Sequence, residues 1–276
     1  MDSTLTQRIP YFLDVLALDE EPMGIFFTDT KPEEGFTPPE MDMPTREQEA
    51  RGEVDFGKLF GNFSCALGSI WRARRKKTAA WFSERHFGCP GSAFWQGFNK
   101  PQLEAIIAYV SAGIPGQMEG ELYCGSHDTL RQIFEDIDPT PAPAPYLVYK
   151  PLSQFSDDEE PLLVAFFSRP EPLCGLHQLA AFVTDDPDVV RSPWAAACGG
   201  LITWPLKYLE NGENKATLGG WDPSARKFFG PDELSFTVPF AMFRDMVMRW
   251  EGSFLTRTAW PTVRKKAERS RKAWTR

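Results

Sequence analysis

Two short apolar segments in the second half of the chain most constrain its fold: YLVYKP at Tyr146–Pro151 and LLVAFF at Leu162–Phe167. Each segment is short, nearly continuous in apolar residues and bounded by polar or proline-containing sequence, so both predict buried β-strands. Further strands are predicted at Met23–Thr28, Lys215–Leu218 and Leu234–Val238. Buried strands need helices or a second sheet to cover their faces.

Helical segments alternate with these strands, mainly in the second half of the chain. The predicted helices are residues 3–18, 63–82, 101–111, 126–137, 172–182, 194–208 and 240–250. Residues 30–55 are rich in Pro, Glu and Asp and predict a long loop, which is uncommon in a compact domain unless it covers something. Alternating helices and strands are typical of layered folds. We therefore predict an α/β or α+β fold, with helices packed on a mixed sheet in a single compact domain.

The predicted domain covers residues 1–262, and residues 263–276 form a basic C-terminal tail. The proline-rich segment PTPAPAP, residues 139–145, is the best candidate for a linker. Proline-rich segments act as semi-rigid spacers. This linker would divide the domain into two lobes, residues 1–138 and 146–262.

Composition places the chain among globular proteins. It has 276 residues, of which 42% are hydrophobic and 25% are charged, ordinary values for a domain with a core. No apolar run approaches the roughly 18 residues that a membrane-spanning helix needs. The N-terminal segment has one basic residue before a short apolar stretch, which is unlike a signal peptide. We expect a cytoplasmic protein with no membrane partner.

Charge is unevenly distributed along the chain. The net charge of −8 argues against nucleic-acid binding over the whole surface. However, residues 264–276 contain seven Lys or Arg residues and one acidic residue. This tail is either a solvated helix end or a weak contact for RNA or an acidic partner.

Several motifs that would assign a reaction are absent from the sequence. No GxGxxG follows a strand, and there is no GxxxxGK[ST] phosphate loop,. HExxH and GxSxG motifs are also missing,. There is no CxxC pair, which excludes a zinc ribbon. The sequence therefore argues against the common dinucleotide, phosphate-loop and zinc-ribbon classes.

The five cysteines offer the most reactive candidates. Their odd number and long spacings do not suggest a disulfide framework. Cys65 lies near the start of a predicted helix, Cys89 lies in a Gly/Pro turn, and Cys198 has small neighbours. Backbone N–H groups at the first two positions favour the thiolate, whereas the small neighbours of Cys198 let another group approach its sulfur closely. Cys124 and Cys174 lack this framing and are predicted to be core residues.

Three thiolates from Cys65, Cys89 and Cys198 can hold an iron–sulfur cluster or a zinc ion while leaving one position open. An open position permits redox or Lewis-acid chemistry on a small molecule. The alternative is that these are three separate buried cysteines without a cofactor. His86 and Lys150 are the candidate catalytic residues: His86 stands three residues before Cys89, and Lys150 ends a predicted strand.

A second function is compatible with the sequence, namely a metal-free module that binds a small anionic ligand. Asp222 and Arg226 lie four residues apart across a proline-containing turn, where they can pair or bind a cofactor,. The abundant tryptophans suggest an aromatic lining for such a pocket, although tryptophan is more often a core residue. The candidate lining residues are Trp71, Trp95, Trp204 and Trp221.

Several of these segments also carry a family resemblance. They are EPMGIFF, Cys65-Ala66-Leu67, Cys89-Pro90-Gly91-Ser92-Ala93, YLVYKPL and the stretch around Cys198. In these segments the chain resembles the prokaryotic domain-of-unknown-function family numbered 169, from about Glu21 to about Trp250. The resemblance implies that Cys65, Cys89 and Cys198 stand at recurring cysteine positions. It implies no particular reaction.

Overall fold

A computed structural model describes Met1, residues 3–98 and residues 103–274. The chain groups into two compact units. We call Met1–Phe26 together with Tyr149–Arg276 the sheet unit, and Phe27–Val148 the inserted unit. The prediction of one domain with lobes 1–138 and 146–262 stays a prediction.

Within the described residues, the strands form a mixed seven-stranded sheet in the order β2-β3-β1-β4-β7-β6-β5. Pairing of β5 with β6 is parallel, whereas β1–β4, β4–β7 and β6–β7 are antiparallel. The strands are β1 (Met23–Thr28), β2 (Ala80–Ser83), β3 (Tyr146–Pro151), β4 (Leu163–Ser168), β5 (Val190–Arg191), β6 (Ala216–Gly219) and β7 (Leu234–Pro239). The predicted fold class is therefore confirmed, and five of these strands match predicted segments.

Twelve α-helices occur in the described residues, together with short 3-10 turns. The first six are α1 (Ser3–Leu16), α2 (Arg46–Ala50), α3 (Phe56–Asn62), α4 (Ala66–Lys76), α5 (Pro90–Trp95) and α6 (Glu104–Val110). The others are α7 (His127–Ile137), α8 (Pro170–Thr184), α9 (Ala197–Leu201), α10 (Thr203–Glu210), α11 (Phe240–Arg249) and α12 (Ala259–Trp274). No helix of the described residues is long and apolar enough to cross a lipid bilayer.

The sheet unit is organised around β4 and β7. Because side chains alternate between the two faces of a strand, Val164 and Phe166 of β4 lie on the same face as Phe236 and Val238 of β7. These residues belong to one large apolar cluster with buried residues of α1, α8 and α11. Phe12 of α1 is fully buried there, and burial of an aromatic side chain contributes strongly to stability.

The opposite face of β6 and β7 is covered by α9 and α10. Gly200 of α9 approaches Gly219 of β6 so closely that a Cβ atom on Gly200 would lie 3.4 Å from the Cα atom of Gly219. Gly219 pairs with Ser235, whereas the neighbouring Leu218 packs against the large cluster on the other face. The two glycines thus allow the short helix to lie directly on the sheet.

The inserted unit has smaller apolar clusters in its described part. In one, Leu59, Leu103 and Ile106 are buried beneath half-buried residues of the loop and α3. In another, Ile107 of α6 packs with Cys124 and Leu130. Ser126 caps α7 by accepting a hydrogen bond from the N–H of Thr129, 3.1 Å away.

The predicted helix over residues 63–82 is wrong at both ends. Phe63 and Cys65 have extended backbones, and α4 begins only at Ala66. At the other end, Lys77 adopts the left-handed conformation (φ 51°) and closes α4. The aromatic residues after it favour a strand, and they form β2 instead of a last helical turn.

Two other expectations need correction. The predicted loop at residues 30–55 contains α2, which a capping box at Thr45 and Gln48 stabilises,. The predicted helix at residues 194–208 is interrupted at Ile202 (φ −123°, ψ −64°), which separates α9 from α10.

Within the predicted tail at 263–276, the described residues belong to α12. Its Trp260 is buried and donates to the carbonyl oxygen of Val15 at 2.9 Å.

Candidate functional site

Cys65 stands at the start of α4, in the inserted unit. Its extended backbone (φ −72°, ψ 129°) makes it the N-cap residue of this 11-residue helix. The side chain is half-buried. Helix N-termini present N–H groups without intrahelical partners and carry a partial positive charge. The place of Cys65 at a helix start is as the sequence predicts, and a thiolate there stays a prediction.

Cys89 has the same position at the start of α5. Its Sγ atom accepts a hydrogen bond from the N–H of Ser92 at 3.3 Å. Pro90 follows at the first helical position, where its missing N–H costs no hydrogen bond,. The side chain of Cys89 is also half-buried, so small molecules can reach it.

A backbone hydrogen bond joins the two segments that carry these cysteines. The N–H of Ser64 donates to the carbonyl oxygen of Gly88 at 2.8 Å, so the residues directly before the two cysteines are hydrogen-bonded. Gly88 has φ +85°, and a Cβ atom there would lie 2.5 Å from the carbonyl oxygen of Ser64. Only glycine fits this crossing. We call Cys65 and Cys89 the paired-cysteine site.

Two buried polar side chains lie close to this site in sequence: Ser92 in α5 and Gln96, the C-cap residue of that helix. Each is 1% exposed. Neither the Ser92 hydroxyl nor the Gln96 carboxamide has a hydrogen-bond partner within the part of the chain that the structure describes. Buried polar groups of this kind usually mark a bound water or ligand. The sequence signal for these two buried polar side chains was a serine and a glutamine within the otherwise apolar segment PGSAFWQGF.

His86, a predicted catalytic residue, lies in the turn before Cys89. Its Nδ1 atom is 3.0 Å from Oγ of Ser83, and its ring packs on Trp81 with the centroids 4.8 Å apart. Burial lowers the pKa of His86 below its ordinary value, which favours the neutral imidazole at neutral pH,. A neutral imidazole can act as a base or a ligand, and the catalytic role stays a prediction.

Cys198, the third predicted ligand, belongs to the sheet unit. It lies in the first turn of α9 and is 5% exposed. Tyr149 of β3 is fully buried, and burial raises the pKa of its phenol well above the ordinary value, with a smaller contribution from Cys198. The phenol therefore stays protonated at neutral pH. A shared site of Cys198 with Cys65 and Cys89 stays a prediction.

A row of buried hydroxyl groups lies on the sheet face that α9 covers. Thr217 pairs directly with Thr237, and Ser235 is two residues along β7 on the same face. All three are at most 1% exposed, and among the described residues their hydroxyls have no hydrogen-bond partner. Sequence reasoning missed this row, because it depends on the register between β6 and β7.

Lys150, the second predicted catalytic residue, is held in an ion pair. Its Nζ atom is 2.8 Å from Oε2 of Glu159 and 4.4 Å from the ring centroid of Phe155. The hydrogen bond from Lys150 is the largest of the effects that lower the pKa of Glu159 to about 2. A role for Lys150 in catalysis stays a prediction.

Asp222 and Arg226, the predicted cofactor-binding pair, make separate contacts. Asp222 accepts hydrogen bonds from the N–H of Ser224 at 2.9 Å and from the N–H of Ala197, at the start of α9, at 3.3 Å. The guanidinium of Arg226 donates to four main-chain carbonyl oxygens: Gly220, Gly230, Pro231 and Glu233. These contacts hold the segment between β6 and β7 in place. Cofactor binding by either residue stays a prediction.

The tryptophans of the predicted aromatic pocket are divided between the units. Trp71 and Trp95 lie in the inserted unit, where Trp95 is buried and Trp71 is partly exposed beneath the guanidinium of Arg75. In the sheet unit, Trp204 donates to the carbonyl oxygen of Trp194 at 3.1 Å. The more exposed Trp221 donates to Oγ of Ser192 at 2.7 Å.

The two remaining cysteines differ from one another. Cys124 is buried in the inserted unit, as predicted. Cys174 is exposed, so its prediction as a core residue is wrong. On α8 the core-facing positions are taken by neighbours such as Leu173, Gly175 and Leu176, which leaves Cys174 on the outer face. Within the described residues, no group of three or more His, Cys, Asp or Glu side chains is arranged to hold a metal ion.

Fold and site together define a mixed α/β protein in which two half-buried cysteines begin neighbouring helices. The chain belongs to the DUF169 family, described as uncharacterised ArCR, COG2043, which matches residues 12–249. The predicted family resemblance is therefore confirmed. Neither a curated protein nor a solved structure matches the chain significantly.

Proposed function

We propose that the protein binds a soft metal ion or an iron–sulfur cluster through the thiolates of Cys65 and Cys89. The observation that carries this proposal is the 2.8 Å hydrogen bond from Ser64 to Gly88, which places the two cysteines on adjoining segments. Thiolate ligands select soft and borderline metals such as copper(I), zinc and the iron of iron–sulfur clusters.

The surroundings of the two sulfur atoms support this chemistry. Each cysteine is the N-cap residue of a helix, where exposed N–H groups favour negative charge. A metal ligand must be deprotonated, so any stabilisation of the thiolate also strengthens metal binding. Both side chains are half-buried rather than enclosed, which leaves a path for an ion.

Two thiolates fill only part of a metal coordination shell. Zinc usually has four ligands, and catalytic zinc sites keep one position for water or substrate. A metal held by Cys65 and Cys89 would therefore have positions for additional ligands, including a small molecule. Such a metal can polarise a bound carbonyl or lower the pKa of a bound water. His86, three residues from Cys89, is the nearest candidate in sequence for moving a proton there.

Anaerobic purification of the full chain tests the proposal. The measurements are iron, zinc and acid-labile sulfide content and the visible spectrum. We expect the Cys65→Ser/Cys89→Ser double variant to lose the bound metal. The matched control is Cys174→Ser, which removes an exposed thiol from another part of the molecule and should retain the metal content of the parent protein.

Two results would contradict this function. One is anaerobically prepared protein that lacks iron, zinc and sulfide and also fails to bind added zinc(II). The other is a folded double variant that keeps the metal content of the parent, because the ligands would then lie elsewhere.

A metal-free module for a small anionic ligand is the second candidate function. Its support is the exposed ring of Trp221, five residues before Arg226. A thermal-shift screen with organic acids and nucleotides, carried out in the presence of a chelator, separates this function from metal binding. Stabilisation that survives the chelator would favour the second candidate.

A further inference from the structure

A pocket of about 350 Å³ opens in the sheet unit where α1 ends, α8 begins and α12 passes between Pro261 and Arg271. Its apolar lining consists of Leu16, Ala17, Pro172 and Pro261. Ligand pockets have volumes of roughly 300–1,000 Å³, so this pocket has room for a small molecule. We call it the cationic cleft.

Positive charge dominates the rest of the lining. The cleft contains four basic side chains: Arg169, Arg264, Lys265 and Arg271. It contains two carboxylates, Glu171 and Glu268. The lining therefore carries a surplus of two positive charges, although the whole chain has a net charge of −8. A local surplus of this sign attracts anions to a protein that otherwise repels them.

Both carboxylates of the cleft already have basic partners. Glu171 forms an ion pair with Arg271, and Glu268 forms one with Lys272 at 3.0 Å. Asp19 receives two hydrogen bonds from Arg169, at 2.6 and 2.9 Å. These ion pairs hold several side chains of the cationic cleft in place, and the surplus of two positive charges in its lining remains.

Arg264 and Lys265 carry that remaining charge. Arg264 donates from one terminal nitrogen to the carbonyl oxygen of Val15 at 3.2 Å. Neither residue has a carboxylate partner among the residues that the structure describes. A guanidinium binds phosphate or carboxylate through two parallel hydrogen bonds, and an ammonium adds a point charge.

The part of α12 that carries Arg264 and Lys265 is held in place by the packing of Trp260. Trp260, one turn before Arg264, is buried, donates to the carbonyl oxygen of Val15 and packs edge-on against Phe254. Gly175 of α8 leaves room for the indole, because a Cβ atom there would lie 2.9 Å from it. A fixed wall loses little conformational entropy when a ligand binds.

We propose that the cationic cleft binds a small organic phosphate. The phosphate contacts Arg264 and Lys265, and the organic part lies against Leu16, Pro172 and Pro261. The pocket is too small for a folded polymer, and none of its described lining residues is aromatic, whereas single-stranded nucleic acids stack on aromatic rings. This site does not depend on the paired-cysteine site.

Calorimetric titration of the full chain tests the proposal, with AMP, inorganic pyrophosphate, citrate and a single-stranded RNA oligonucleotide as probes. We expect AMP to bind, and Lys265→Glu to weaken its binding by about tenfold or more, because the variant places a carboxylate beside the phosphate. The matched control is Lys266→Glu, which makes the same charge change at a neighbouring exposed position outside the cleft lining. Its effect should be less than about threefold, from long-range electrostatics alone.

Arg264→Gln provides a second variant with the same expected direction, and an unchanged unfolding midpoint confirms that each variant is folded. Three results would overturn the proposal. The first is no binding of AMP or pyrophosphate. The second is equal losses for Lys265→Glu and Lys266→Glu, which indicates unspecific attraction. The third is tighter binding of citrate or of the RNA than of AMP, which indicates a carboxylate or a polymer ligand.

Discussion

The sheet unit and the inserted unit bury their apolar residues differently. In the sheet unit, one large cluster joins α1, α8 and α11 to β4 and β7. In the inserted unit, two clusters of three buried residues each pack with half-buried neighbours, and further buried side chains such as Phe82, Phe87 and Phe94 lie around the segments that carry the two cysteines. The helices behind the paired-cysteine site are anchored by their own buried residues, such as Ile70 of α4 and Phe94 of α5. The difference teaches that the large cluster secures the sheet unit, whereas the two cysteines stand at helix starts whose positions depend on local turns and caps.

The largest expected effect is on the core of the sheet unit. Phe12 is fully buried and packs edge-on against Phe166 and Phe243 at centroid distances of 6.5 and 6.0 Å. Phe12→Ala should lower the free energy of unfolding by about 3–5 kcal/mol, since it leaves a cavity. Phe60→Ala, at a half-buried ring in the inserted unit, should cost less than half of that. Urea unfolding monitored by circular dichroism measures both free energies. Equal losses in the two variants would contradict the stated difference between the two units.

A smaller effect is expected at the crossing beneath the paired cysteines. Gly88→Ala forces a Cβ atom against the carbonyl oxygen of Ser64, in a backbone conformation that L residues rarely adopt. We expect a loss of about 1–3 kcal/mol in unfolding free energy, together with loss of metal binding. Gly52→Ala is the matched control, because Gly52 has φ +70° but nothing within 4 Å of a Cβ atom. Metal content that is unaffected by Gly88→Ala would argue against the site.

The smallest effect concerns pH and Lys150. The folded-state pKa of Glu159 is about 2, below its ordinary value of 4.5, so its ion pair stabilises the protein above about pH 4.5 and this contribution disappears as the pH falls toward 2. The carboxylate side chain is 40% exposed, which reduces the contribution to about 1 kcal/mol through solvent screening. Glu159→Gln should therefore lower unfolding free energy by about that amount near pH 6 and by almost nothing near pH 2. A loss of unfolding free energy in Glu159→Gln that is the same at pH 6 and at pH 2 would contradict the lowered pKa of Glu159.

Five of the seven described strands were predictable because they are short apolar runs with clear ends, whereas β2 and β5 were missed. The observed bounds of β1 and β3 coincide with the predicted ones. The helix over residues 63–82 was not predictable in this way, because its end depends on a left-handed Lys77 rather than on glycine. Local sequence carries little information on such non-glycine caps.

The candidate site was only partly predictable. Cys65 was predicted near a helix start from its neighbours, whereas Cys89 was predicted in a Gly/Pro turn and proves to be the N-cap residue of α5. That their two segments adjoin depends on the Ser64–Gly88 hydrogen bond, a contact between segments that are distant in sequence. The buried hydroxyls of Thr217 and Thr237 meet only through strand register, and a one-residue shift would place them on opposite faces.

Titration of the reduced, metal-free full chain with cobalt(II) under anaerobic conditions tests the central claim most directly, since thiolate ligation produces an intense charge-transfer absorption. We predict this absorption for the parent protein and for Cys174→Ser, weakened in Cys65→Ser and in Cys89→Ser and absent from the double variant. A double variant that is folded and retains the full absorption would contradict a metal site at Cys65 and Cys89.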